Sequence, residues 1–266
     1  MKKIIFILIF AVSGFQFFTT EQVGAPDLPQ QISLASYSVS NGDLVLVNRD
    51  IALQGEPDHL ATIPYDIAKN VVVNSEYFLE EQAISPLKQL FDAAADDGIE
   101  HFIINSAYRS GKLQEQLYEQ YGADYSLPPG YSEHQTGLSI DIGSTVGKME
   151  NVEEGKWMEE HAAEFGYILR YPKDKVDITG IEYEPWHFRY IGLPHSVLMK
   201  QHDFVFEEYI AYLKEKQFYK MKLNDTTYFV HYTGNKRSVN TLESKNIMVS
   251  GDNVGGYIIT SILEEI

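Results

Sequence analysis

Two segments of the chain carry residue types that could share one reaction. They are Ser132-Glu133-His134-Gln135-Thr136-Gly137-Leu138-Ser139-Ile140-Asp141 and, much further along, Glu184-Pro185-Trp186-His187. His134, Asp141 and His187 can close three corners of a tetrahedral zinc site and leave the fourth for water. Glu184, just before the last histidine, can then take that water's proton. Together the segments imply metal-assisted hydrolysis.

Spacing constrains how these side chains meet. On a single helix His134 and Asp141 would be separated by ~10.5 Å at 1.5 Å per residue, too far to share an ion comfortably. Gly137 and the Leu-Ser-Ile alternation after it predict instead a turn leading into a strand, which returns His134 to the side of Asp141. An aspartate between Ile140 and Ile142 is costly to bury without a partner, and a cation removes that cost. Glu184 and His187 are spaced so that one tight turn puts them on the same side, with Trp186 expected to pack the other way. Glu133 reads as a solvated neighbour. His59, His101, His161, His195, His202 and His231 have no such neighbours and read as structural.

The elements that position the two segments are legible in part. Ser85 as cap, Pro86 at the first helical position and Gly98 at the stop predict a helix from Ser85 to Asp97. Leu87, Leu90, Phe91 and Ala94 give it one buried face. His101–Asn105 reads as a buried strand, followed by a helix to Tyr121. A third helix is expected over 153–165, with Gly166 past its end, and then a strand over 167–171. Residues 21–70, with four prolines and little periodicity, read as a linker and amino-terminal arm with a short strand near 44–47. The core domain is expected over 71–205. Beyond it, 206–266 reads as a helix over Asp203–Lys216 and a small β appendage with strands at 219–223, 227–232 and 257–262.

The 266 residues include 44% hydrophobic and 13% aromatic residues, which argues for a packed core. A formal net charge of −17 speaks against nucleic acid, since phosphate binding needs clustered Lys and Arg. There is no cysteine, so disulfides and cysteine-linked lipid are excluded, and any metal must be held by His, Asp and Glu. Lys2-Lys3 ahead of an apolar run over 4–18 has the layout of a secretory signal or membrane anchor within residues 1–20. The run is shorter than the ~20 residues of an ordinary span. Val23-Gly24-Ala25 offers small residues for cleavage, with Pro26 directly after. The chain is therefore expected to be exported.

The pattern Ser-x-His-x-x-Gly-x-x-x-Asp followed by Glu-Pro-Trp-His resembles the zinc D-Ala-D-Ala carboxypeptidases of the VanY/LdcB-like family. The likeness extends to Ser106-Ala107-Tyr108-Arg109-Ser110, to 129–137, to Phe165–Pro172 and to 184–192, covering about residues 75–205. The tail is similar as well, through Leu193-Pro194-His195-Ser196, Glu207-Glu208-Tyr209 and the last β segment. Ser139 stands where many members carry alanine. The resemblance implies one Zn2+ held by His134, Asp141 and His187, with Glu184 as catalytic base. It implies Arg109 near the reaction centre, against the developing oxyanion or the substrate carboxylate, and Ser132 and Gln114 as hydrogen-bonding partners of the peptide. The fold class expected is α+β, a small antiparallel sheet carrying the zinc site, flanked by helices, with the β appendage.

The reaction so implied is removal of the terminal D-Ala from peptidoglycan stem pentapeptides or their lipid-linked precursors, at the outer face of the membrane or in the wall, with a role in vancomycin resistance. Rival readings are an L,D-carboxypeptidase trimming tetrapeptides, a free D,D-dipeptidase, and a non-catalytic wall-binding module that keeps zinc for structure.

Overall fold

Along Ser139–Ser144, small polar residues alternate with a pair of isoleucines. The structure, a computed structural model describing residues 18–21, 27–122 and 127–263, turns that period into a strand with two different faces. The described residues up to Val45 form one compact unit with those from Glu208 onward, and Leu46–Glu207 form the other. Residues 1–17, where most of the export leader is expected, lie outside the described residues. No helix among the described residues is long and apolar enough to cross a membrane.

In chain order the strands are β1 (Phe18–Glu21), β2 (Gln30–Ser33), β3 (Leu60–Thr62), β4 (Val71–Val73), β5 (Phe78–Glu80), β6 (Phe102–Ser106), β7 (Ser139–Ser144), β8 (Tyr167–Leu169) and β9 (His187–Tyr190). Five more follow: β10 (Phe218–Leu223), β11 (Thr226–Gly234), β12 (Ser238–Thr241), β13 (Asn246–Gly251) and β14 (Gly256–Leu263). The helices are α1 (Glu81–Asp96), α2 (Gly111–Tyr121), α3 (Glu153–His161), α4 (Val176–Thr179), α5 (His195–His202) and α6 (Phe206–Lys216).

The Leu46–Glu207 unit is built on a sheet of order β4-β6-β7-β9-β8. Its pairings are antiparallel except β4 with β6, so the small sheet that carries the site is mixed at one edge. Phe102 and Ile104 of β6, Ile140 and Ile142 of β7 and Phe188 of β9 point into one apolar core with Leu87, Leu90, Phe91 and Ala94 of α1. That leaves Ser139 and Asp141, the alternate residues of β7, for the opposite face.

α1 presents the expected apolar face but begins a turn earlier than Ser85, and Pro86 lies inside it. The extra turn is retained because Ala83 is also fully buried and its carbonyl accepts the Tyr167 hydroxyl at 2.7 Å. Residues 44–47 are buried, as the apolar run requires, yet form no strand. α3 tightens into a 3-10 turn over Ala162–Phe165 and ends at Gly166 in the left-handed region, as its sequence signals.

In the other unit the sheet order is β1-β10-β11-β14-β13, with β12 pairing β2 in a separate ribbon. The anticipated β appendage is therefore not built from the carboxy-terminal residues alone. Phe18–Glu21 and Gln30–Ser33, read as leader end and linker, supply strands to it.

Candidate metal centre

Register brings the two sequence segments together. β7 and β9 are antiparallel with Asp141 opposite His187 and Ser139 opposite Arg189. His134 arrives from the turn before β7, a 3-10 segment over Glu133–Thr136 that Gly137 ends at φ 71°. That positive φ favours glycine, and the reversal returns the chain to the start of β7. His134, Asp141 and His187 each offer a ligand atom, and these atoms all lie within 4.8 Å of one another.

The hydrogen bonds around the histidines orient them for a cation. His134 Nδ1 lies 2.7 Å from the Ala107 carbonyl, so it donates its proton there and leaves the Nε2 lone pair free on the side of Asp141. Burial holds this ring neutral by lowering its pKa against the opposing pull of Asp141. His187 presents Nδ1 to Asp141 Oδ1 at 3.1 Å, and Nε2 lies 3.4 Å from Glu133 Oε2. That second approach is electrostatic, without hydrogen-bond geometry. Burial lowers the His187 pKa, but Asp141 and Glu133 outweigh it and raise the ring to about 9. Asp141, which faces Nδ1, could hold a metal ion in place of the proton there, while Glu133 faces Nε2 on the other side of the ring. Asp141 is buried, which alone would raise its pKa, and the two histidines bring it far below the usual range. Two imidazoles and a carboxylate are a donor set suited to Zn2+, so the residues present fit the ion.

Glu184 is set by two backbone bonds: its N–H donates to the Tyr171 carbonyl at 3.1 Å, and its own carbonyl accepts the His187 N–H at 3.1 Å. Its carboxylate reaches within 3.7 Å of His187 Nδ1. Burial raises its pKa, with His187 pulling the other way. Arg109 N–H donates to the His134 carbonyl at 3.1 Å, its Nη2 to Asp141 Oδ2 at 3.0 Å and its Nε to Ser106 Oγ at 3.0 Å. These groups open into a cavity of about 270 Å3 that Ser132, Gln114 and Trp186 also line. Gln114 is buried, and its amide donates to the Leu127 carbonyl at 2.7 Å.

Two residues depart from expectation. Trp186 does not pack away from the site but lines the cavity, 39% exposed. Glu133 is not solvated: it is 1% exposed at the centre of a buried ion network. Its Oε1 accepts from Arg170 Nε at 2.8 Å and Arg189 Nη1 at 3.1 Å, and its Oε2 accepts the Ser139 hydroxyl at 3.2 Å. Burial would raise its pKa, but the two guanidiniums dominate and hold it well below the carboxylate range. Arg170 also grips Glu207 with both terminal nitrogens, at 2.9 and 2.6 Å. Ser139, at a position where alanine would make no such bond, joins the network through its hydroxyl. Sequence reading missed Arg170 and Arg189 because each sits in an apolar strand context and its partner is far along the chain. The signal available was a pair of arginines inside otherwise buried segments, which are rarely buried unless paired.

A sequence model of the VanY family, described as D-alanyl-D-alanine carboxypeptidase, matches residues 76–193. A D-alanyl-D-alanine carboxypeptidase of Enterococcus faecium is 39% identical over 247 residues, covering 90% of this chain and 82% of the relative. Among solved structures, the vancomycin-resistance D,D-dipeptidase VanXYg in complex with a D-Ala-D-Ala phosphinate analogue superposes with a TM-score of 0.75 at 27% identity, over 88% of this chain and 99% of that one. A mutant of the D,D-pentapeptidase VanY from a VanB-type resistance cassette, in complex with Zn(II), gives a TM-score of 0.54 at 30% identity, over 63% and 98%. With the His-Asp-His group in place, the chain belongs to the VanY family of D-alanyl-D-alanine carboxypeptidases and is a zinc-dependent peptide hydrolase.

Proposed function

We propose that the protein removes the C-terminal D-alanine from peptidoglycan stem pentapeptides ending in D-Ala-D-Ala, and so reduces the target of vancomycin. The observation that carries this reading is the buried His134–Asp141–His187 group, which opens with Glu184 into one small cavity. At about 270 Å3 that cavity is slightly smaller than ordinary ligand sites of roughly 300–1,000 Å3, and it suits the short end of a peptide. Lys2-Lys3 ahead of the apolar run over 4–18 supports export, to the outer face of the membrane or the wall where stem peptides reside.

In this reading His134 through Nε2, Asp141 and His187 through Nδ1 would hold Zn2+, which when bound would supply a Lewis acid and an acidified water. Glu184 takes the proton from the attacking water and later passes it to the leaving amine. Its burial raises its pKa and improves its match to that second task. Arg109, whose fork is fixed against Asp141 and Ser106, offers its remaining donors to charge developing on the scissile carbonyl oxygen. Ser132 and Gln114 hydrogen-bond the peptide along the cavity wall.

The test is alanine release from pentapeptide and tetrapeptide precursors with added zinc, chelator or penicillin. Release from pentapeptide that chelation abolishes and penicillin spares is expected, since no serine is acylated. Release from tetrapeptide alone would move the protein to the L,D class. Glu184→Ala should keep its zinc and lose ~10²–10⁴-fold in turnover, the usual contribution of a general base. Retained turnover would end the proposed role of Glu184.

A further inference from the structure

The two arginines lining the cavity are not equivalent. Arg109 is engaged by Asp141 and Ser106. Arg49 makes no hydrogen bond or ion pair among the described residues, although Glu182 and Glu184 line the same cavity. Arg49 therefore lines the cavity with its donors uncommitted.

The turn that presents Arg49 is firmly held. Asn48 Oδ1 accepts from the N–H groups of Asp50 and Ile51, both at 3.0 Å, and Asn48 N–H donates to the Ile51 carbonyl at 3.1 Å. The Asn48 amide donates to Glu207 Oε1 at 3.0 Å, which ties the turn to the Arg170–Glu133 network. Leu53 N–H donates to the Gly130 carbonyl at 2.7 Å, so the same loop braces the approach to Ser132. Gly180 leaves room for the side chain: a Cβ there would lie 3.3 Å from Arg49 Cδ.

We propose that Arg49 anchors the terminal carboxylate of the peptide and so makes the enzyme an exopeptidase; the choice of peptide rests on the function proposed above. A chain of net charge −17 repels an anionic peptide end at long range, so its capture needs a local cation. A guanidinium is planar, permanently charged and able to grip a carboxylate with two parallel bonds. Arg109 is already oriented by Asp141, which leaves Arg49 for the chain end. A peptide bond in mid-chain offers no such anion.

The test compares a peptide ending in D-Ala-D-Ala with its C-terminal amide, in the zinc-loaded wild type, Arg49→Gln and Arg49→Lys. The wild type should prefer the free acid. Arg49→Gln should lose about 10- to 100-fold in kcat/KM on the acid, mainly through KM, as for a lost hydrogen bond to a charged group. Its turnover of the amide, zinc content and melting temperature should not change, and Arg49→Lys should restore part of the preference. An acid-to-amide ratio in Arg49→Gln equal to that of the wild type overturns the assignment, as does a wild type that fails to discriminate. A wild type that cleaves neither peptide overturns the substrate reading and this anchor with it, an outcome visible before any substitution is made.

Discussion

Glu133→Gln removes one negative charge while keeping the side chain's shape. It takes away the shared partner of two fully buried guanidiniums, Arg170 and Arg189, and the carboxylate that faces His187. Breaking a buried pair by neutralising one partner costs about 3–5 kcal/mol, because a charge is left uncompensated. Glutamine can still accept a bond from one arginine, and Arg170 retains Glu207, so the loss should fall near the lower figure, about 3 kcal/mol. For a unit of this size each kcal/mol shifts melting by roughly 2–4 °C, which gives a drop of about 6–12 °C. Zinc affinity should also weaken, by about 10- to 100-fold, because the His187 ring loses the negative charge beside its Nε2. Thermal and urea melts of zinc-loaded and chelated protein, with competition titration for zinc, measure both effects. If Glu133 were the solvated residue its local sequence suggests, the change would stay within about 0.5 kcal/mol. A melting shift under about 2 °C with unchanged zinc affinity would therefore refute the network reasoning.

Stability of the metal-free protein should depend on pH through the same groups. Glu133 and Asp141 have depressed folded-state pKa values, so the stability they contribute is present above the unfolded value of about 4 and is lost as pH falls below it. His187, raised to about 9, contributes stability that is fully present below about 6.5 and is lost as pH rises through 9. Urea midpoints across pH should show both limbs, and Glu133→Gln should flatten the acid one. Gly155→Ala should destabilise by about 1–3 kcal/mol or more, because a Cβ there would overlap the Met149 carbonyl oxygen; a melt like that of the wild type would show that the contact relaxes freely. Chelation at zinc concentrations 100 to 1,000 times the dissociation constant should remove about 2.7–4.1 kcal/mol, read as a melting shift that added zinc reverses.

Local signals carried much of the site. Gly137 and the alternation after it foretell a turn into a strand because a left-handed residue and a two-residue period are properties of adjacent residues. The buried face of α1 is legible for the same reason, yet its start is not. Ser85 and Pro86 form a strong local start signal, and burial of Ala83 together with the Tyr167 hydroxyl overrides it from far along the chain. The position of Trp186 is not legible locally, because the spacing of Glu184 and His187 orients those two residues but says nothing about what lies across the cavity.

By itself the sequence determined the donor types, the absence of thiol ligands, the carboxylate shortly before the last histidine and the turn that returns His134 to Asp141. Only the tertiary structure set Asp141 opposite His187, placed Glu133 between two buried arginines, put Arg49 on the cavity wall and drew amino-terminal strands into the carboxy-terminal sheet. The physical reason is the range of the forces involved. Turn conformation and strand alternation depend on neighbouring residues, whereas strand register and the tolerable burial of a charge depend on partners that the chain brings together only when it folds.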